Sequence, residues 1–521
     1  MTEAAAVVPS PDESQAGFRA LMRNRNYALL WTGQLVSEMG NRFHWIAVSL
    51  WIYSLTGSAA SVSLAVSSMF VGGLLVSLWA GVFVDRFDRR KILIVADLLR
   101  AGLVAAIPSL IRANIWLVYI DLILISIATA FFRPAIFAVV PQTVPRPSLL
   151  AANSLFSAMD TGTEMAGPLL AGLLAQAFGY SSLLYLDAGT YIFSSLCIAL
   201  MAFSPAVQHG FGGLSFSSLW KGVTEGLHYI RRDALQWGLF ILIFPATLVG
   251  AGLNALQTPL AKGVIRITDA QFGTFNSVWG LGFLAASLLL GWYGTVLRRS
   301  TLILSGYFLG FVATALMGLS LRFQHLLLTA FAVGFSNTMY YVGLGTVLME
   351  HTPGALIGRL ISTRQLALGL VRVVSPLVFG ALAESSGIRA AILVMAVVGA
   401  LGTTAVVASF PLVRQLGRDT QVAASPGLWK WTAGSLWKWT VGRIDPEIEE
   451  VRQHRMNVVS LISTLVIFVL LTYRFGSWVL VSVIAIALLT YLGALARRKW
   501  GVRWEAGAPP GSAKKEAGGL H

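Results

Sequence analysis

The chain has 521 residues, 56% hydrophobic and only 12% charged, against about 25% charged in soluble domains. With a mean hydropathy of +0.72 it lacks the polar surface a water-soluble fold needs, and soluble enzyme classes are excluded. The net charge of +15 is gathered in particular loops, so it reads as a topology signal and not as a nucleic-acid footprint.

Apolar blocks of about 20 residues, enough to cross some 30 Å of hydrocarbon as a helix, follow an N-terminal segment over 1–26. The first 17 residues lack the apolar core of a cleaved signal peptide. Six predicted spans lie near 27–55, 59–84, 91–111, 115–140, 148–178 and 181–203. A polar stretch over 204–234, with Gly212, Gly213, Lys221, Arg231 and Arg232, reads as a linker. Six more spans lie near 235–262, 270–296, 300–320, 324–349, 355–384 and 388–411. A second polar region over 412–456 then leads into an apolar hairpin near 457–474 and 477–496. The tail over 497–521, rich in Gly, Ala, Pro and Lys, has the composition of disorder. The expected fold is therefore an all-α polytopic membrane protein: two six-helix bundles over 27–203 and 235–411, and an extra C-terminal two-helix hairpin. The lone Cys197 sits inside an apolar span, which excludes internal disulfides and thiolate metal sites.

Basic residues alternate from loop to loop. Arg19, Arg23 and Arg25 precede span one; Arg86, Arg89, Arg90 and Lys91 separate spans two and three; Arg298 and Arg299 separate spans eight and nine. The intervening loops hold little beyond Arg112, Lys262, Arg266, Arg322 and Arg389. Both termini and the central linker are expected in the cytoplasm, with the chain in the cell membrane.

The two halves also repeat. Pro168, Gly172, Ala175 and Gly179 recur 208 residues later as Pro376, Gly380, Ala383 and Gly387, and Pro145 recurs as Pro353. Many secondary transporters are built from such halves, with the substrate site near the midplane between them.

Between spans two and three runs Gly81-Val-Phe-Val-Asp85-Arg86-Phe-Asp88-Arg89-Arg90-Lys91. A short turn with Asp and several Arg can pair with neighbouring helix ends in one conformation and release them in another. Its Gly-x-x-x-Asp-Arg-x-x-Arg-Arg spacing resembles the loop signature of the major facilitator superfamily. The corresponding loop of the second half keeps Gly291, Arg298 and Arg299 but lacks the Asp. On span five, Gly162, Gly167, Pro168 and Gly172 resemble the motif of that family's antiporters, with Ala171 where the pattern has a further glycine. A narrower likeness rests on Phe131-Phe132-Arg133-Pro134-Ala135, Pro141, Pro145 and Ala151-Ala152-Asn153-Ser154-Leu155, with Arg25-Asn26-Tyr27, Trp31 and Gln34. These are similar to the drug and siderophore exporter branch, the enterobactin-exporter-like proteins. The resemblance covers about 20–410 and implies a twelve-helix major facilitator fold. It also implies proton-driven efflux of a small molecule through a central cavity lined mainly by spans one, four, seven and ten.

Charges in hydrocarbon are costly, about 2.5–3.5 kcal/mol each at mid-helix on insertion scales, so the few present point to function. Glu38 on span one lies roughly 16 Å from the cytoplasmic end, and Asp160 and Glu164 on span five roughly 18 and 24 Å. These three carboxyls are the candidate proton site. Alternatives remain: Glu38 can pair with Arg42, and Asp160 or Glu164 can neutralise an arginine such as Arg372 on span eleven, itself also a candidate for the substrate cavity. Asp97 and Arg100 read as a local pair, and His44 as a packing residue that can titrate. Arg133 is a candidate electrostatic lure for an acidic substrate. Gln34, Asn254, Gln257, Asn337, Tyr340 and Tyr341 complete the candidate cavity, as hydrogen-bonding groups for an amphipathic substrate or as interhelical bonds.

Leu-Trp-Lys-Trp-Thr-Ala-Gly over 428–434 recurs as Leu-Trp-Lys-Trp-Thr-Val-Gly over 436–442, a composition suited to the membrane interface. No metalloprotease, hydrolase or Walker motif occurs in the sequence, so neither an enzyme nor a cofactor is expected. The expected partners are a small-molecule substrate, protons and the lipid bilayer, with no nucleic acid and a monomer as the simplest assembly. Two other readings stand beside efflux: a lysophospholipid flippase on the same fold, and a non-transporting membrane sensor.

Overall fold

In lipid, backbone polar groups must be paired within the chain, which leaves long apolar segments a helix as their outlet. The computed structural model describes residues 18–202, 216–293 and 298–410. The Trp/Lys repeat, the C-terminal hairpin and the tail lie outside the described residues, as do 203–215 of the linker. Among the described residues there is no strand. The helices are α1 (Phe18–Arg23), α2 (Arg25–Thr56), α3 (Ala59–Arg86), α4 (Arg89–Ala113), α5 (Ile115–Thr143), α6 (Leu149–Phe178) and α7 (Tyr180–Ala199). They are followed by α8 (Phe216–Arg232), α9 (Ala234–Thr258), α10 (Asp269–Tyr293), α11 (Arg299–Gly318), α12 (Phe323–Glu350), α13 (Gly354–Ser386) and α14 (Ile388–Ser409).

The polar breaks in the sequence become caps. Asn24, Ser58, Asp88, Asn114 and Asp233 each accept a hydrogen bond from a backbone N–H in the first turn of α2, α3, α4, α5 and α9, satisfying donors that a helix leaves unpaired. The linker carries more order than its composition suggests, because Phe216–Arg232 forms α8. Val223 and Ile230 are buried, and Gly226 lies against the backbone of Arg359 in α13. Glu225 pairs with Arg359 at 2.7 Å. A spacing of three to four between apolar residues held this helix, masked by the glycines and charges around it.

Helices α2 to α7 form one bundle and α9 to α14 the other. In the first, α2 packs on α6 and α7, α3 on α5, and α4 on α5 and α7; in the second, α9 packs on α13 and α14, α10 on α12, and α11 on α12 and α14. Advancing each label by seven converts one set into the other. Across the halves, α6 meets α10 and α3 meets α13, a pair related by the same exchange. The 208-residue repeat is therefore geometric as well. Gly179 and Gly387 end α6 and α13 at φ of 78° and 89°, the positive-φ region that glycine enters without strain. Each donates its N–H to the alanine four residues back, Ala175 and Ala383.

Among the described residues, ten helices carry windows long and apolar enough to cross a membrane. Helices α2 and α6 match them in length but are more polar. They hold Glu38 and Arg42, and Asp160 and Glu164, well inside their runs.

Candidate functional site

The halves are joined at one end. We term the side that carries Arg25, Arg86 and Arg298 the basic face, and the opposite side the far face. At the far face Glu384, near the end of α13, accepts from the Ser58 hydroxyl at 2.5 Å and from the Ala60 N–H at 3.0 Å. A carboxylate thus sits on the N-terminus of α3, where orphan donors and the helix dipole favour negative charge. The related junction has Asp269 accepting from the Tyr180 hydroxyl at 3.0 Å and pairing with Lys262 at 2.7 Å. There Gly172 and Gly273 bring α6 and α10 to backbone contact; a Cβ on Gly172 would lie 2.5 Å from the Asp269 carbonyl oxygen. Further along α3 the Ser67 hydroxyl donates to the Val373 carbonyl of the other bundle at 2.9 Å.

Towards the basic face a set of charges from both bundles converges. Asp160 is solvent-exposed about a third of the way along α6, and the charges of Glu38, Arg133, Arg42 and Glu164 all act on it. Glu38 is half-buried on α2 and Arg133 exposed on α5. Glu164 pairs with Arg42 at 3.0 Å, so Arg42 is taken by α6 and not by Glu38 four residues away. The stem of Arg42 lies across Gly167, where a Cβ would come 2.6 Å from its Cγ. From the other bundle Arg372 is within electrostatic reach of Arg133, Tyr340 and Tyr341, so charges of the two halves act on one another. Tyr340 stacks on Tyr307 with ring centroids 4.5 Å apart, while Tyr341 is 60% exposed.

Other candidates go elsewhere. Gln34 is buried and donates to the Ser194 hydroxyl of α7 at 3.2 Å; Gln257 is buried inside its own bundle. Burial of this kind follows where one face of a cavity helix also seals its bundle. Asn254 and Asn337 are half-buried. Gly162 has open space beside it, so close helix approach does not explain it, whereas Gly167, Gly172 and the buried Pro168 lie at real contacts.

In the loop signature, Asp88 caps α4, accepting from the N–H groups of Arg90 and Lys91 at 2.9 and 3.4 Å. Arg90 donates to the carbonyls of Ile198 and Ala199, placing its charge on the C-terminus of α7. Arg86 and Arg89 flank this turn, Arg86 exposed and Arg89 half-buried, and Gly81 and Asp85 lie in the last two turns of α3.

A second polar group lies deeper in the first bundle. Asp97 and Arg100 form a buried pair, with the guanidinium 4.0 Å from the Phe132 ring centre and 4.4 Å from that of Tyr191. Asp187 on α7 is fully buried, with His44 Nδ1 3.6 Å from its Oδ2 and the Thr190 hydroxyl donating to its Oδ1 at 3.2 Å. Sequence reading missed Asp187. The available signal was a lone carboxylate within an apolar span, and its partner is too distant in sequence to suggest a pair.

Two helical bundles of one design, hydrogen-bonded to each other at one face and carrying ionisable groups from both halves towards the other, have the build of a membrane transporter. Residues 30–263 and 239–507 match the profile of the Major Facilitator Superfamily. The chain belongs to that family, and is a multi-pass membrane transporter, not an enzyme. It is 28% identical over 318 residues to Macrolide efflux protein A of Streptococcus pyogenes, covering 56% of this chain and 77% of that protein. It is 26% identical over 389 residues to the Multidrug efflux pump Tap of Mycolicibacterium fortuitum, covering 69% and 90%. Among solved structures, a bacterial homolog of the human lysosomal transporter Spinster, inward-facing and unoccupied, aligns with a TM-score of 0.60 at 14% identity, over 75% of this chain and 98% of that one. The nucleoside transporter NupG aligns at 0.56 and 13% identity, over 74% and 98%. Both share the fold.

Proposed function

We propose that the protein exports a small amphipathic molecule, of the drug or siderophore kind, across the cell membrane in exchange for protons. The loop charges support cytoplasmic termini, which makes the basic face the cytoplasmic one and the described state one that opens inward. Efflux relatives support the direction of transport. The observation that carries the coupling is Asp160, a carboxyl exposed in the gap with Arg133, Glu38 and the Glu164–Arg42 pair around it. A proton or a cationic contact can neutralise it in turn, which links protonation to the approach of the two halves. Glu38 and Glu164 serve as its neighbours in the exchange, and Arg90 and Asp88 tie the α3–α4 turn to the bundle on the cytoplasmic side.

Cells expressing the protein should accumulate less of a labelled macrolide, dye or siderophore than control cells, and an uncoupler should abolish the difference. A difference that persists in the uncoupler contradicts proton coupling. A lipid-moving reading on the same fold draws on one feature, an apolar crevice of about 290 Å³ lined by Phe244, Leu248, Val371 and Val398 among others. Flipping of labelled lysolipid in proteoliposomes, with no export of any soluble probe, would favour it.

A further inference from the structure

The arginines set within the helices divide into two groups. Arg42 is held by Glu164 and Arg100 by Asp97, while Arg389 donates to the Ser320 carbonyl. Arg364 and Arg372 on α13 and Arg133 on α5 have no ion pair or hydrogen bond among the described residues. They are neighbours. The groups that act on Arg372 are Tyr341, Arg133, Tyr340 and Arg364, and those on Arg364 are Tyr341, Tyr307 and Arg372. No carboxylate is among them. Arg133 is within range of Asp160 on its own side, so the uncompensated charge is concentrated on the α13 wall.

Guanidinium groups this far inside a membrane protein are costly unless water or a counter-charge meets them. Arg364 lies about 15 Å and Arg372 about 27 Å along α13 from its cytoplasmic start, two turns apart, so neither can reach the bilayer surface as a terminal residue can. Arginine also offers a planar fork of donors suited to a carboxylate, sulfonate or phosphate. Beside these forks stand Tyr341, exposed, and Tyr340, stacked on Tyr307 at 4.5 Å, a flat apolar surface for a ring or chain.

We infer that the cargo is an amphipathic organic anion whose acid group is held by Arg364 and Arg372, with its apolar body against Tyr341 and Arg133 approaching from the opposite bundle. The mechanism gains from this. Arg133 and Arg372 repel across the gap, which resists closure of the cytoplasmic side while the cavity is empty; an anion between them removes the repulsion and lets the halves approach. The inference rests on the transporter reading of the cavity but not on proton coupling.

The test is equilibrium binding, with no gradient, to the full chain in nanodiscs of phosphatidylcholine. Two probes share one aromatic body: anilinonaphthalene sulfonate, which carries the acid, and phenylnaphthylamine, which lacks it. Binding is read by energy transfer from the protein's tryptophans, above the signal of empty discs. The sulfonate should bind the wild-type chain about tenfold more tightly or better, the scale of a charge-assisted contact. Arg372→Gln and Arg364→Gln should each cut that affinity about tenfold and leave the neutral probe unchanged, which also shows that the variants are folded. Arg372→Lys should keep part of the preference. Equal binding of the two probes by the wild-type chain overturns the inference, as does a sulfonate affinity that survives both Gln substitutions. Either result leaves gradient-driven export of other compounds intact, and loss of coupling leaves this binding intact.

Discussion

At the scale of single residues, burial and partnership separate structural charges from working ones. Asp97 and Arg100 are both almost wholly buried, and two aromatic rings close over the guanidinium. Removing one partner leaves a buried charge uncompensated, a loss of about 3–5 kcal/mol. Arg100→Leu should therefore lower the thermal unfolding temperature in detergent markedly, and the double change Asp97→Asn with Arg100→Leu should recover much of it. An unchanged unfolding temperature for Arg100→Leu contradicts the pairing. This pair was legible in the sequence because its members stand three apart on one helix. The partner of Arg42 was not: spacing favoured Glu38, four residues away, and only the packing of α6 on α2 brings in Glu164. Gln34 and Gln257 show the same limit, since a polar residue on a cavity helix can face either the cavity or its own bundle.

At the scale of helices, the two junctions of the far face hold the present conformation. Glu384 on the first turn of α3 is the most exposed link and lies where the bundles must part if the protein is to open outward. Glu384→Ala should shift the population toward that opening. The measure is labelling of Ser63→Cys, buried beside Gly380 in this conformation, by a thiol reagent that does not cross membranes. Labelling from outside should be a few-fold faster in the Glu384→Ala background, since an exposed hydrogen bond contributes about 0.5–1.5 kcal/mol. Equal rates in the two backgrounds contradict the clasp. The repeat in the sequence located Gly172 and Gly380, because identical small residues at one offset imply one structural duty. What each glycine touches, Gly273 in one case and Ser63 in the other, depends on the meeting of the two halves and was not legible. The α8 helix escaped notice for a related reason, since its apolar stripe is short and gains its value from docking on α13.

At the scale of the molecule, hydropathy and caps made the twelve long helices of the described residues readable, and the alternation of Lys and Arg between loops suggested their direction. The contact pattern that repeats when every helix is exchanged for its counterpart supports the proposed mechanics, in which two bundles related by symmetry rock about α3, α6, α10 and α13. Which conformation the chain takes could not come from sequence, because both conformations of a rocking transporter use the same spans and the same patterns. The proposed role of the charges around Asp160 is to tie this motion to an ion. Proteoliposomes of uniform orientation test that claim most directly, with an imposed pH gradient and a labelled export substrate. The wild-type chain should drive the substrate uphill and also exchange it at equal pH. Asp160→Asn should keep the exchange and lose the uphill movement. Uphill movement of normal extent in Asp160→Asn would contradict the account.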